Sequence, residues 1–176
     1  GAPMKFVACT LEAHGAAILD ILNEQIRTST AVYEYVPRAP ESMVTWFEAK
    51  TKKAYPVIGV ENDAGTLMGF ATYGMFRDRP GYKYTVEHSV YIHPDHRGKG
   101  LGRALMERLI EAARAQDFHV MVGAIDATNS ISIALHEKLG FVHAGTMRES
   151  AYKFGRWLDL VFYQLTLQTP KQPIEG

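Results

Sequence analysis

The sequence predicts an α/β fold, a mixed twisted sheet of about six to seven strands flanked by about four helices. Three observations predict it. The elements read in the order strand, two helices, a strand meander, then helix, strand, helix and two strands. Val120 to Ile125 is apolar nearly throughout, as a strand covered on both faces is. Thr85–Ile92, a glycine-rich turn, a helical apolar pattern and then Val120–Ile125 form a strand–helix–strand unit, which implies a parallel, right-handed crossover.

Lys5 to Cys9 reads as a short first strand, and Thr10 as an N-cap with Glu12 in the first turn that follows. Ala16, Ile18, Leu19, Leu22 and Ile26 make one apolar face of a helix ending near Arg27. The small polar run from Thr28 to Tyr33 breaks that pattern, as a substrate-facing loop or a plain connection. Ser42 is the expected cap of a second helix running to about Lys53, with Met43, Trp46 and Phe47 inward. Pro56–Val60 and Leu67–Tyr73 flank the Asn62–Gly65 turn as a hairpin. A polar loop, Phe76–Gly81, precedes the strand Thr85–Ile92, which Pro94 and Asp95 end. Leu101, Leu105, Leu109 and Ala112 carry the next helix to about Gln116. Thr128 or Asn129 caps another helix that ends before Gly140, and Phe141–Met147 and Trp157–Leu167 are the last strands.

With 176 residues, one domain over 4–168 is expected, with a loose tail at 169–176 and a tag remnant at 1–3. Lys plus Arg and Asp plus Glu are both 19, so no general nucleic-acid or membrane surface is implied. The single cysteine, Cys9, excludes an internal disulfide and suits a reducing, cytoplasmic setting. No apolar stretch is long enough to span a bilayer, and the N-terminus lacks a signal-peptide layout.

The functional signal centres on Arg97-Gly98-Lys99-Gly100-Leu101-Gly102, followed by Arg103. A glycine turn into a helix makes an anion site, because the first helical N–H groups lack internal partners and carry the positive end of the dipole. The glycines let a diphosphate approach that backbone, and Arg97, Lys99 and Arg103 add charge beside it. The spacing is neither a dinucleotide fingerprint nor a Walker A loop. His93 and His96 with Asp95 lack the regular spacing of a metal site, and no metal is expected. Ser89 and Ser132 lack a nucleophile-elbow context.

The hexapeptide resembles the acetyl-CoA signature of the GCN5-related N-acetyltransferases, and Asn129 followed by Ala134–Phe141 resembles their second signature. Thr85–Ile92, Leu135-His136 and Lys153–Leu160 resemble the phosphinothricin and methionine sulfoximine N-acetyltransferases within that superfamily. Met75-Phe76-Arg77 and Arg148–Ala151 depart from the family pattern, which puts the acceptor in doubt rather than the reaction class. The resemblance implies the acetyltransferase fold, acetyl-CoA as co-substrate, a small amino-acid acceptor and a homodimer, with Lys153 and Arg156 either contributing across its interface or lying at a solvated strand end. It implies that the loop holds the coenzyme diphosphate. Val90, Tyr91 and Ile92 would offer backbone to the acetyl group and pantetheine arm, and Asn129 and Ser132 would support that arm.

Direct acetyl transfer needs a base, since an α-amine is mostly protonated near neutrality. Glu87, a carboxylate within an apolar strand, is the candidate; the alternative is a carboxylate paired with a nearby Arg or Lys. His136 occupies the position of a tyrosine common in the superfamily, and either donates to the thiolate, helps deprotonate the amine or is a helix-surface or core histidine. Arg77 is the expected clamp on the acceptor carboxylate. Phe76, Asp78, Arg79, Tyr33, Glu87, His88 and Ser89 would shape the acceptor pocket. An acetyltransferase for another amine, or a non-catalytic coenzyme-binding module, are the competing readings.

Overall fold

In the first turn of the chain's first helix, the Thr10 hydroxyl accepts from the Ala13 N–H at 3.1 Å, satisfying one of the donors that a helix start leaves open. The computed structural model describes residues 4–176, and the expected tag remnant lies outside them. The elements are β1 (Lys5–Ala8), α1 (Leu11–Thr28), α2 (Ser42–Lys52), β2 (Val57–Glu61), β3 (Leu67–Met75), β4 (Thr85–Ile92), α3 (Leu101–Ala115), β5 (Val120–Asp126), α4 (Ser130–Lys138), β6 (Val142–Lys153) and β7 (Arg156–Thr166). The strands form a seven-stranded sheet in the order β1-β2-β3-β4-β5-β7-β6. β4 and β5 are parallel, as the strand–helix–strand unit predicts, while β1/β2, β2/β3, β5/β7 and β6/β7 are antiparallel. The expected mixed α/β architecture is therefore the one observed.

The chain forms two compact units. The first runs to Tyr73 and resumes at Ser89–Leu109. Its core joins Ile18, Ile21 and Leu22 of α1, Met43 and Phe47 of α2, and Val57, Leu67 and Phe70 of the hairpin. Trp46 of α2 meets Phe47 and Phe70 of β3 in edge-to-face pairs, which ties α2 to the sheet. Ser42 does not cap α2; it is the first helical residue and its hydroxyl donates to the Ala39 carbonyl at 2.6 Å. His14 couples α1 to β2. Its Nδ1 accepts from the Thr10 N–H at 3.1 Å, which leaves Nε2–H to donate to Glu61 at 3.0 Å. In the N-terminal part of α3, Leu101, Leu105, Met106 and Leu109 are buried at the expected spacing.

The second unit comprises Gly74–His88 and Ile110–Gly176. Met121 and Ile125 of β5, Leu158, Val161 and Tyr163 of β7, and Phe141 are buried in it. β6 is longer than the sequence suggests. It continues past Met147 to Lys153 and turns into β7 through Phe154 and Gly155, both with left-handed φ (52° and 75°), the geometry of a tight hairpin. Arg148–Ser150 breaks the alternation, which is why the sequence pattern ends at Met147. There the register shifts between Met147 and Ala151, Glu149 takes a φ of 51°, and its N–H donates to Asp159 at 2.8 Å. In the tail, the Ile174 N–H donates to the Tyr84 hydroxyl at 3.0 Å, and the Thr169 hydroxyl donates to the Phe118 carbonyl.

Leu105 is fully buried. Leu105→Ala is expected to lower unfolding free energy by about 2–5 kcal/mol, read as an earlier midpoint in urea denaturation.

Candidate active site

The glycine turn belongs to the first unit. Gly98 and Gly100 have φ of 77° and 75°, and a Cβ at either would meet nothing within 4 Å. The requirement for glycine there is thus backbone conformation, with open space over the main chain, as a diphosphate cradle needs. The Ala104 N–H donates to the Gly100 carbonyl at 3.2 Å and starts α3; the N–H groups before it precede the helical ladder. The basic side chains around the turn are engaged with neighbours. Arg97 donates to Glu24 of α1 at 3.1 Å, Arg103 donates to Glu107 at 2.9 Å, and Lys99 lies 3.2 Å from His96 Nδ1. Lys99 and Arg103 are exposed, while Gly102 is half-buried in the first turn of α3.

Val90, Tyr91 and Ile92 also belong to this unit and are half-buried. Gly69 of β3 makes room for them, since a Cβ there would stand 2.9 Å from the Tyr91 carbonyl and 2.7 Å from Ile92 Cδ1. The His93 N–H donates to the Met68 carbonyl at 2.8 Å, keeping the chain against β3 as it leaves β4. Tyr33 lies in the loop between α1 and α2. Asn23 grips that loop at both backbone groups of Arg38 (2.8 and 3.0 Å), and Arg38 forms an ion pair with Glu34.

In the second unit, Glu87 is half-buried in β4. Burial raises its pKa above the ordinary carboxylate range, and the nearby Arg77 guanidinium partly offsets that rise. Arg77 is exposed; its guanidinium lies 4.5 Å from the Phe76 ring centre and donates to the Phe76 carbonyl at 2.8 Å. Phe76 in turn meets Tyr82 edge-on at 5.5 Å. Asp78 and Arg79 are exposed in the same loop.

His136 is not a surface histidine: it is 2% exposed and both ring nitrogens are engaged. Nδ1 lies 2.7 Å from the Ser132 carbonyl, which can only accept, so Nδ1 carries the hydrogen. Nε2 is then a lone pair, and 2.8 Å away stands His88 Nε2, which must be the donor. The ring planes lie within 23° of each other and the rings meet end to end through these nitrogens, with centres 5.0 Å apart and Phe141 against both. Burial lowers the pKa of each imidazole, His88 to about 3. Gly123 of β5 leaves the space for them; a Cβ there would stand 2.9 Å from both rings.

The sequence puts His88 with Glu87 and Ser89 at the expected acceptor pocket. Successive strand residues face opposite ways, and His88 turns away from the Glu87 side to meet His136. Gly123 was not singled out; a glycine inside an otherwise apolar strand was its available signal. Asn129 resolves the choice of cap: its side chain accepts from the Ser132 N–H at 3.1 Å. Ser132 therefore serves α4 through N–H and His136 through its carbonyl. Lys153 is buried in its own chain, whereas Arg156 is exposed. Among the described residues there is no cluster of three or more His, Cys, Asp or Glu suited to a metal.

The strand–helix–strand order of β4, α3 and β5, with a glycine turn opening α3, is that of an α/β enzyme domain. The chain belongs to the acetyltransferase (GNAT) family, whose sequence pattern matches residues 18–141. It is 47% identical over 150 residues to a Pseudomonas paraeruginosa protein named L-methionine sulfoximine/L-methionine sulfone acetyltransferase, covering 85% of this chain and 87% of that one. A solved Acinetobacter baylyi protein superimposes with a TM-score of 0.99 at 55% identity, covering 100% of this chain and 98% of that one. A Sinorhizobium meliloti phosphinothricin acetyltransferase, solved in complex with AcCoA, superimposes with a TM-score of 0.92 at 33% identity over 98% of this chain and 94% of that one.

The buried imidazoles generate a pH prediction. His88 titrates near 6.5 when unfolded and at about 3 when folded. The unfolded chain therefore binds more protons between those values, and stability is lost as pH falls below 6.5. Acidification from about pH 7 to about pH 5 is expected to lower unfolding free energy by roughly 2 kcal/mol through this group. His88→Phe should flatten that dependence, measured as urea midpoints against pH.

Proposed function

We propose that this acetyltransferase acts on the α-amine of a small amino acid or analogue of the methionine sulfoximine, methionine sulfone or phosphinothricin type, by direct transfer from acetyl-CoA. The observation that carries this reading is the half-buried Glu87 carboxylate beside the Arg77 guanidinium. One group is suited to take a proton from an amine and the other to pair with a carboxylate. The names of the Pseudomonas and Sinorhizobium relatives support the acceptor class.

Bound acetyl-CoA supplies an activated acyl group. Gly98 and Gly100, with the first N–H groups of α3, are suited to bind its diphosphate, and their open, left-handed backbone supports that fit. Arg77 orients the acceptor by its carboxylate, bidentately. Glu87 receives the proton that the amine gives up, and its raised pKa matches it to that task. The Val90–Ile92 backbone is the candidate for stabilising developing negative charge on the acyl oxygen.

The assembly we propose is a homodimer. β6 is an edge strand, and Val142, Met147, Tyr152, Phe154 and Trp157 along it and its hairpin are exposed, an apolar border that a second copy would cover. A cytoplasmic location is consistent with the lone Cys9 thiol, which burial and the Glu61 charge push up to about 12.

Assays with acetyl-CoA and methionine sulfone should release CoA, and Glu87→Gln should lower kcat by about 10²–10⁴-fold. The rate should fall as pH drops through the raised Glu87 pKa. Arg77→Ala removes the charge that opposes the rise, so it should move this acid limb to higher pH while raising KM for the acceptor. Light scattering should give twice the chain mass, and Trp157→Glu should shift it towards the single chain. Wild-type turnover by Glu87→Gln would refute the assignment of the base.

A further inference from the structure

Arg97 opens the glycine turn, and its side chain is tied to a carboxylate. A guanidinium has five N–H donors; among the described residues Arg97 uses one of them, on Glu24 of α1 at 3.1 Å. Both residues lie in the first unit, together with Gly98 and Gly100. The contact joins the end of α1 to the turn that precedes α3, across 73 positions of sequence.

Glu24 does not depend on Arg97 for its place. Leu22 and Ile26, two residues before and after it, are buried and fix that part of α1 in the core. The Thr28 hydroxyl reaches one carboxylate oxygen at 2.9 Å, and the buried Gln25 side chain donates to the other at 3.1 Å. The Glu24 side chain is 21% exposed and that of Arg97 is 52% exposed. One partner of the pair is therefore held, and the other stands largely in solvent. Arg103 and Glu107 differ, since both of those side chains are exposed.

Two effects oppose a carboxylate at this place. It sits near the negative end of the α1 dipole, and within one guanidinium of a turn suited to an anion, whose charge it repels. An exposed ion pair offers little stability in return. What the carboxylate does is offset the charge of the arginine at the mouth of the glycine turn.

We propose that Glu24 is a positioning residue that holds Arg97 in reserve, its carboxylate competing with the coenzyme diphosphate for the guanidinium. A diphosphate arriving at the turn draws Arg97 away from Glu24, and on its departure the fixed carboxylate takes the guanidinium back. Binding exchanges one charge pair for another, so the coenzyme is held less tightly than an unopposed arginine would hold it, and CoA leaves more readily. The proposal rests on the reading that the glycine turn takes the coenzyme diphosphate.

Calorimetry of CoA binding to the whole chain tests it. Glu24→Gln keeps the side chain's size and an acceptor for the Thr28 hydroxyl while removing the charge. It should tighten CoA binding about two- to fivefold at low salt, the worth of an exposed pair. The gain should vanish by about 0.5 M salt, where screening is short-ranged, and most of it should lie in slower CoA dissociation. A substitution that merely loosened α1 would weaken binding instead. Arg97→Gln should weaken CoA binding, and in that background Glu24→Gln should leave the affinity unchanged. Unchanged or weaker CoA binding by Glu24→Gln alone overturns the proposal. So does an equal gain in the Arg97→Gln background, which would mark plain repulsion of the anion. A wild-type protein that binds no CoA overturns this inference and the proposed function together. CoA binding in the expected ranking with no acetyl transfer to any amine would defeat the proposed function and leave this inference standing.

Discussion

Successive side chains on a strand must point to opposite faces, and in β4 that constraint separates the carboxylate of Glu87 from the imidazole of His88. One residue carries the group suited to an amine and the next carries a group buried against α4. Neither environment would serve the other. A carboxylate placed where His88 sits would face the His136 imidazole, held neutral by burial, with no charge to balance it. An imidazole at 87 would have the Arg77 charge adding to burial in keeping it neutral, whereas for Glu87 that charge opposes burial. Gly123 belongs to the same constraint, because it surrenders side-chain volume so that both rings fit.

The glycine turn works by a different balance. Its nearby cations are largely spoken for by Glu24 and Glu107, which fits the neutral overall charge. In the proposed function an anion there would meet main-chain N–H groups first, and its specificity would follow from how closely it could approach them. Gly98 and Gly100 matter because their left-handed φ aims that backbone, with open space above it. Exposed ion pairs of this kind contribute little to stability, so the Arg97–Glu24 contact is better understood as fixing where a guanidinium waits.

The acceptor class is argued from local chemistry and from relatives whose names specify substrates. The two stretches that depart from the family pattern differ in structural character. Met75–Arg77 ends β3 and carries the guanidinium near Glu87. Arg148–Ser150 stands opposite Asp159 alone, a bulge in β6 held by that residue. Bulges re-aim neighbouring side chains, so a change of residue there alters direction as well as chemistry.

By itself the sequence determined the α/β class, the parallel β4–β5 crossover, the bounds of β4, the Thr10 cap and the glycine turn. Each depends on spacing or on a backbone preference that neighbours in the chain impose. Glu87 was legible as a carboxylate out of place in an apolar strand. The extent of β6 was not, because its polar bulge hides the alternation and only pairing with β7 restores it. Nor was the His88–His136 pair. The two residues are separated by 48 positions, and no periodicity links them. Which nitrogen holds a hydrogen is decided by a carbonyl on α4 and a missing side chain on β5, partners that only folding brings together.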